Sequence, residues 1–388
     1  MVIDQITARA LHIPFKVAFV HASASRTATQ SIWVTVSAHG GGIGLGEGCP
    51  REYVTSESVA TALAFVDAHR RDLQASIRDV ATLSRWVHLH RSEIDANPAA
   101  WAAVELAMLD LIGQAEGRTV ESLLGLPQLS GSFRYTAILG HASSAAFEAQ
   151  LATYVGAGFG DFKIKLCGEL ERDRAKVKAL LALGLSGMDI RADANNLWTD
   201  ADQAARYLDA LGFPFWALEE PLQPGDIAGM RRLAQTVGTR IILDESMLRA
   251  DQLDAIRADA HRWIANVRVS KMGGLLRSLR FTSDARASEV PIIVGAHVGE
   301  TSVLARAALV LANTARDRVV ACEGAFGTHL LEHDAVEPSI MFGRAGLVDA
   351  GVLGIGSTPG HGMTTNKSAQ HIGLAGAPTR RALAAAVD

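Results

Sequence analysis

The sequence predicts an α/β protein in two parts: an α+β module of about 125 residues, then a closed barrel of alternating strands and helices. Three observations carry this reading. From residue 134 to beyond residue 310, short apolar strands alternate with amphipathic helices; strict alternation requires a parallel sheet, because each crossover helix must cover a sheet face. Lys165, Asp193, Glu219, Asp244 and Lys271 end successive predicted strands at separations of 28, 26, 25 and 27 residues, one strand and helix per step. In Phe162-Lys163-Ile164-Lys165-Leu166 both lysines fall on one face and the apolar residues on the other, as expected if the lysines point into a barrel and the apolar set meets the helices. An open sheet would spread the five charged groups along a line at about 4.8 Å per strand, whereas a barrel brings strand ends to one mouth.

In chain order, residues 6–14 and 30–38 (QSIWVTVSA) have the period-2, β-branched texture of strands, and residues 40–48 (GGGIGLGEG) read as a glycine-dense turn and strand. Thr55, Glu57 and Ser58 open an amphipathic helix to about Leu73, and further helices are expected over 82–94 and 98–116. After a loop at 127–132, strands are expected at 134–139, 161–166 and 188–194, and helices at 147–157 and 170–183.

With 48% hydrophobic and 20% charged residues, the chain of 388 residues has the composition of globular domains. A net charge of -4, from 37 basic and 41 acidic residues with no basic run, argues against a nucleic-acid partner. Cys49, Cys167 and Cys322 are too few and too scattered for a disulfide framework and are expected to be ordinary buried thiols in a reducing compartment. The amino terminus carries Asp4 where a secretory signal needs a basic flank, and no run approaches the roughly 20 apolar residues that span a bilayer. A cytoplasmic protein with no membrane partner is expected.

Asp193, Glu219 and Asp244, delivered by consecutive strands, make a hard-oxygen set suited to Mg2+; no Cys or His stands at the strand ends between them, which disfavours Zn2+. Lys165 and Lys271 come from the strands before and after these three, so they can face each other across the ion. A lysine acts as a base only if its pKa is lowered, and a neighbouring cation does this; Lys163 supplies one on the same face. The alternative is that Lys163 and Lys165 balance the carboxylates as buried ion pairs. Together the groups allow one partial reaction: a carboxylate binds Mg2+, a neutral lysine removes the proton on the adjacent carbon, and the ion holds the enediolate.

The ordered set KIK (163–165), DAN (193–195), EEP (219–221), DES (244–246) and KMGG (271–274) resembles the muconate lactonizing enzyme subgroup of the enolase superfamily, and PFKVAF (14–19), GLGEG (44–48) and TSES (55–58) resemble that family's capping domain. The resemblance implies a modified (β/α)8 TIM-type barrel with an α+β capping domain: residues 1–125 cap, 126–355 barrel, and 356–388 a segment returning to the cap. It implies Asp193, Glu219 and Asp244 as ligands of Mg2+, with Mn2+ a possible substitute, Lys165 and Lys271 as acid/base catalysts, and Lys163 as electrostatic partner of Lys165. Cap loops at 19–26 and 49–53 would lie over the mouth. A homo-oligomer is also implied.

Members of this subgroup epimerise, dehydrate or cycloisomerise with the same lysines. The leading expectation is an isomerase, an epimerase or racemase acting on a small amino-acid-derived carboxylate, N-acylated or cyclic. The alternatives are a muconate-type cycloisomerase or a syn-dehydratase, then a Schiff-base aldolase or a non-catalytic metal-dependent binding protein. The resemblance is to dipeptide epimerases in the cap, but the last strand carries Cys322-Glu323-Gly324-Ala325, one acid where those enzymes carry two to hold an ammonium. Asn195, His297, Glu300 and Glu323 are the expected substrate contacts. His297 is read either as a contact or as a structural histidine, and Arg26 and Arg51 either as partners of a second substrate carboxylate or as solvated.

Overall fold

The computed structural model describes residues 1–21, 24–140, 143–185 and 188–366. The amino-terminal part opens with strands β1 (Ile3–Leu11), β2 (Pro14–His21), β3 (Ala24–Ala28), β4 (Ser31–Ala38) and β5 (Ile43–Gly48). Helices α1 (Glu52–Thr55), α2 (Val59–Ser76), α3 (Val80–Leu89), α4 (Arg91–Ala96), α5 (Pro98–Glu116) and α6 (Val120–Leu123) follow. The order β1-β4-β5 makes an antiparallel sheet, and β2 pairs with β3 as a separate hairpin. Ser58 caps α2 by accepting from Thr61 N. The helix expected over 82–94 is two helices, broken at His90, and the strand expected over 6–14 ends at Leu11, with Pro14 opening the next.

The glycines of GLGEG do more than turn the chain. Gly44, Gly46 and Gly48 alternate along β5, and a Cβ on any of them would collide with the carbonyl oxygens of Ala107, Ala103 and Ala99 on α5. Glycine at every second position of the strand and alanine at every fourth of the helix let the two backbones touch. Tight contact seats α5, with Trp101, Leu106 and Leu109 fully buried, on the sheet.

After β6 (Ser132–Arg134), which pairs with Leu347–Asp349, come the strands β7 (Ala137–Leu139), β8 (Phe162–Lys165), β9 (Ile190–Asp193), β10 (Ala217–Glu219), β11 (Arg240–Leu243), β12 (Trp263–Val267), β13 (Ile292–Val294) and β14 (Val319–Cys322). They form one parallel sheet in that order. Thr136 N donates to Cys322 O at 2.8 Å, closing the ring. Helices α7 (Ser144–Gly156), α8 (Leu170–Ala182), α9 (Ala201–Leu211), α10 (Ile227–Val237), α11 (Leu275–Ala287) and α12 (Ser302–Thr314) cover it. The expected alternation fails once: β11 and β12 are joined by two 3-10 segments, Ala250–Ala255 and Arg257–Arg262. The Asp259 carboxylate accepts from Arg231 Nε and Trp263 Nε1, pulling the backbone out of helical geometry there.

Inside the ring, Ala217, Ile242, Ile264, Ile293 and Ala321 pack as an apolar layer. Two residues further along each strand, on the same face, stand Glu219, Asp244, Asn266, Gly295 and Glu323. The polar layer therefore rests on an apolar plug and can face only the mouth. A Cβ at Gly295 would collide with Asn266 Oδ1.

The cap is bolted to the barrel's loops by buried hydrogen bonds, Cys49 N to Ser270 Oγ and Thr301 N and Oγ1 to the Glu47 carboxylate, and by a partly buried one, Leu276 N to Glu105. His361 N donates to Asp110 Oδ1 on α5 at 2.7 Å; residues 367–388 of the expected returning segment lie outside the described residues, as do residues 22 and 23 of the cap loop at 19–26. Cys49 and Cys322 are buried free thiols, but Cys167 is only half-buried, because it opens the loop after β8 with its thiol against Asp173. No described helix is long and apolar enough to cross a membrane.

Candidate active site

The alternation of β8 turns Phe162 and Ile164 into the apolar core and Lys163 and Lys165 into the barrel. Lys165 Nζ donates to Asp193 Oδ2 at 2.7 Å and to Asn195 Oδ1 at 2.8 Å. Asn195 can reach back because its backbone is left-handed (φ 46°), and its N–H donates to Asp193 Oδ1. Lys163 Nζ lies 2.8 Å from Glu219 Oε2, 2.6 Å from Glu323 Oε2 and 3.9 Å from Asp193 Oδ2.

At the other end, Lys271 Nζ donates to Asp244 Oδ1 (2.8 Å), to Asp244 O (2.7 Å) and to Asn266 O (2.7 Å). Lys271 is not at the strand end, as the spacing predicted. β12 stops at Val267, and Lys271 stands four residues on, in a turn closed by Gly273 and Gly274 at positive φ. The strand end belongs instead to Asn266, whose Nδ2 donates to Glu219 Oε1, and to Arg268, which is paired with Asp244 and lies 3.9 Å from Glu219 Oε1.

The result is a row of alternating sign: Lys165, Asp193, Lys163, Glu219, Arg268, Asp244, Lys271. All seven come from five adjacent strands, β8 to β12, or the turns that follow them, and Lys165 and Lys271 end the row.

Burial alone would raise Glu219, but Lys163 and Arg268 outweigh it and lower its pKa to about 2. Burial would likewise lower Lys163; Glu219, Glu323 and Asp193 hold it above the usual lysine range, so it stays a cation. Glu220 faces away from the row. Its carboxylate accepts from Asp244 N, Ser246 N and Ser246 Oγ at 2.6–2.8 Å, fixing the turn that presents Asp244.

Asp193, Glu219 and Asp244 offer only hard oxygen donors, the set that suits Mg2+. Beside them Glu245 Oε2 is buried without a partner, and burial and the Asp244 charge push that carboxyl far above its usual range. A buried carboxyl oxygen without a partner beside three hard-oxygen donors fits a divalent cation. The three expected ligands are nonetheless spread by the cations between them: among the described residues, the one trio of His, Cys, Asp or Glu donors lying within 4.8 Å of one another is Cys49, His297 and Glu300. Binding one ion through all three acids requires Lys163 and Arg268 to yield oxygens they now hold.

One cavity is lined by Lys163, Lys165, Asp193, Asn195, Glu245, Arg268, His297 and Glu323, with Tyr53 of α1 reaching it from the cap. Of the expected contacts, Asn195 is committed to Lys165, and Glu323 to Lys163 and to Arg191, 3.5 Å away. Glu300 lies just outside the cavity and accepts from His297 N at 2.7 Å. His297 is buried, with its Nδ1 3.4 Å from Glu300 Oε1 and its Nε2 without a partner.

Sequence reasoning missed Asn266, Arg268, Glu220 and Glu245. For the first two a signal existed: Ile264, Asn266 and Arg268 share one strand face by the same parity that singled out the lysines.

Residues 3–125 match the family model described as mandelate racemase / muconate lactonizing enzyme, N-terminal domain, and residues 146–369 match enolase C-terminal domain-like. The chain is 29% identical over 319 residues to a hydrophobic dipeptide epimerase of Enterococcus faecalis, covering 80% of this chain and 87% of that protein. It is 28% identical over 299 residues to an L-Lys-D/L-Arg epimerase of Methylococcus capsulatus, covering 76% and 82%. The crystal structure of the Enterococcus faecalis V583 dipeptide epimerase complexed with Mg and L-Leu-L-Tyr superposes with a TM-score of 0.80 at 26% identity, covering 94% of this chain and all of that one. An N-succinyl Arg/Lys racemase from Bacillus cereus shares the fold, with a TM-score of 0.85 at 21% identity over 96% of this chain and 98% of that one.

Proposed function

The chain belongs to the mandelate racemase/muconate lactonizing enzyme family of the enolase superfamily, and from this premise we propose that it is a Mg2+-dependent racemase or epimerase that exchanges the proton α to the carboxylate of an amino-acid derivative. The observation that carries the proposal is the placement of Lys165 and Lys271 at opposite ends of one row of carboxylates. Inverting a carbon centre needs a proton acceptor on one face and a donor on the other. One lysine, neutral, takes the α-proton; the other, as ammonium, returns one to the opposite face.

Lys163 stays charged beside Lys165 through their common partner Asp193, and Asn195 aims the Lys165 amine. Bound Mg2+, held by Asp193, Glu219 and Asp244, would supply positive charge where the substrate carboxylate gains negative charge as the proton leaves. Glu323 has both oxygens facing cations, Lys163 and Arg191. Its Oε1 has no hydrogen-bond partner, but it is the single acid at this strand end where the dipeptide epimerases that the sequence resembles carry two to hold an ammonium, which favours an N-acylated amino acid over a dipeptide with a free amino group. The division of the chain near residues 125 and 355 into cap, barrel and returning segment belongs to the same proposal.

The test is α-deuterium uptake in D2O with Mg2+, screened over N-acylamino acids, dipeptides, proline derivatives and sugar acids. Lys165→Ala and Lys271→Ala should each abolish exchange from one stereoisomer. Full activity of both variants on both isomers refutes the two-lysine mechanism.

A further inference from the structure

The cap holds two guanidiniums in the protein interior, neither paired with a carboxylate among the described residues. Arg26 is 8% and Arg51 2% exposed. Arg51 spends its Nη atoms on the carbonyls of Gln30, Pro50 and Val298, and its Nε has no partner. Arg26 donates to Gln30 Oε1 and lies 5.5 Å over the ring of Tyr53, which lines the cavity. Neither forms an ion pair among the described residues, and residues 18–25 (AFVHASAS) contain no acid that could supply one. Burying a cation without a counter-charge costs several kcal/mol. The acid that feels Arg51, Glu300, is pushed up to about 7 by burial and is only partly charged at neutral pH.

His297 adds an independent sign. It is 4% exposed and lines the same cavity; its Nδ1 lies 3.4 Å from Glu300 Oε1, and its Nε2 has no partner. Burial, then Arg268, Arg51, Lys271 and Arg26, hold it well below its usual pKa, so positive potential converges on the ring from the cap and from the barrel. An imidazole with a free Nε2 in such a field is arranged to meet an anion.

We propose that the substrate carries a second carboxylate, remote from the reacting carbon, received on the cap side of the mouth by His297 and Arg26 in the field of Arg51. This deepens the racemase reading and rests on it. Cys49 Sγ, His297 and Glu300 also form a donor set for a soft divalent ion, but four cations act on that spot and burial raises the Cys49 thiol to about 12, so an anion is favoured.

Binding of inert probes to the Mg2+-loaded Lys165→Ala variant tests this apart from turnover. N-succinylglycine is compared with N-butyrylglycine, and N-acetylglutamate with N-acetylglutamine, by calorimetry; each pair differs chiefly in the distal carboxylate. The dicarboxylate of at least one pair should bind tenfold or more tighter, and adding Arg26→Gln or His297→Gln should reduce that preference below threefold. Arg26→Lys, which keeps the charge, should retain part of it. Absence of preference in both pairs overturns the proposal, as does preference that survives both substitutions. Co2+ binding with a thiolate charge-transfer band that Cys49→Ser abolishes would assign the cluster to a metal and also overturn it. A clear preference alongside a failed two-lysine exchange test would leave the subsite standing and remove only the reaction.

Discussion

Lys163 Nζ lies 2.6 Å from Glu323 Oε2, across the strand β7 that separates their own strands. The contact, with Glu219 on the other side, keeps Lys163 charged and immobile next to Asp193, the acid it shares with Lys165. Lys163→Met should therefore slow exchange from the isomer deprotonated by Lys165 by about tenfold or more and affect the other isomer less. Lys163→Arg should recover part of the loss. Isomer-resolved deuterium uptake reads both, and equal losses on the two isomers would argue against a local effect.

Chelation should abolish α-proton exchange, and Mg2+ should restore it. Mg2+ should also raise the thermal midpoint, since a ligand at 100 times its dissociation constant stabilises the native state by about 2.7 kcal/mol. In Asp193→Asn that rise should shrink or vanish. A Mg2+-induced shift of undiminished size in Asp193→Asn, measured by calorimetry, would remove Asp193 from the ligand set.

Glu220 does not line the cavity, yet its carboxylate binds three donors of the turn 244–246. Glu220→Ala leaves the Asp244 and Ser246 N–H groups without partners, at a cost of about 1–3 kcal/mol each where water cannot reach. Partners of this kind typically control metal affinity by 10- to 100-fold, and a loss of about that size is expected for Mg2+ titrated into the variant. Glu220→Gln, which keeps one acceptor oxygen, should lose less.

The barrel was legible because its chemistry repeats once per strand and helix: Lys165, Asp193 and Glu219 are the last residues of β8, β9 and β10. The same regularity misled at Lys271. A turn can carry a side chain back to the mouth as well as a strand end can, and nothing in the spacing distinguishes them. The face of Arg268 is legible from its parity with Ile264 and Asn266, but the acid it pairs with, Asp244, has no sign in the sequence. The contacts between cap and barrel, such as Glu47 with Thr301, join residues far apart in sequence and have no local signature. In GLGEG the glycines were visible but their reason was not, since it lies on a helix more than fifty residues further along the chain.

Glu47 ties stability to pH. Burial pushes its carboxyl up to about 8 from its ordinary value of 4.5, although its bonds to Thr301 oppose this. The folded state thus holds this proton more tightly than the unfolded chain. The stabilisation is complete below about pH 4.5 and is lost as pH rises through about 8. Glu47→Gln, neutral throughout and able to bond Thr301 N and Oγ1, escapes that loss. Across this window the wild type should fall relative to the variant by up to about 1.4 kcal/mol per pH unit, measured by urea denaturation at successive pH values. A constant difference between the two proteins would refute the shift.

Gly46 and Gly41 separate two reasons for a glycine. Gly41 has φ 110° with nothing within 4 Å of an added Cβ, so Gly41→Ala costs backbone strain alone, about 1–3 kcal/mol. Gly46 has an ordinary backbone, but its Cβ would enter the space of the Ala103 carbonyl. Gly46→Ala must lift α5 from β5, and because α5 carries Glu105, which accepts from Leu276 N in the loop after Lys271, the displacement reaches the active site. Gly46→Ala should therefore destabilise by about 3 kcal/mol or more and also depress exchange by the remaining native protein, whereas Gly41→Ala should leave the exchange rate per folded molecule unchanged. Denaturant unfolding paired with rates normalised to native fraction distinguishes them; equal rates in the two variants would show that the seat of α5 has no bearing on the lysines.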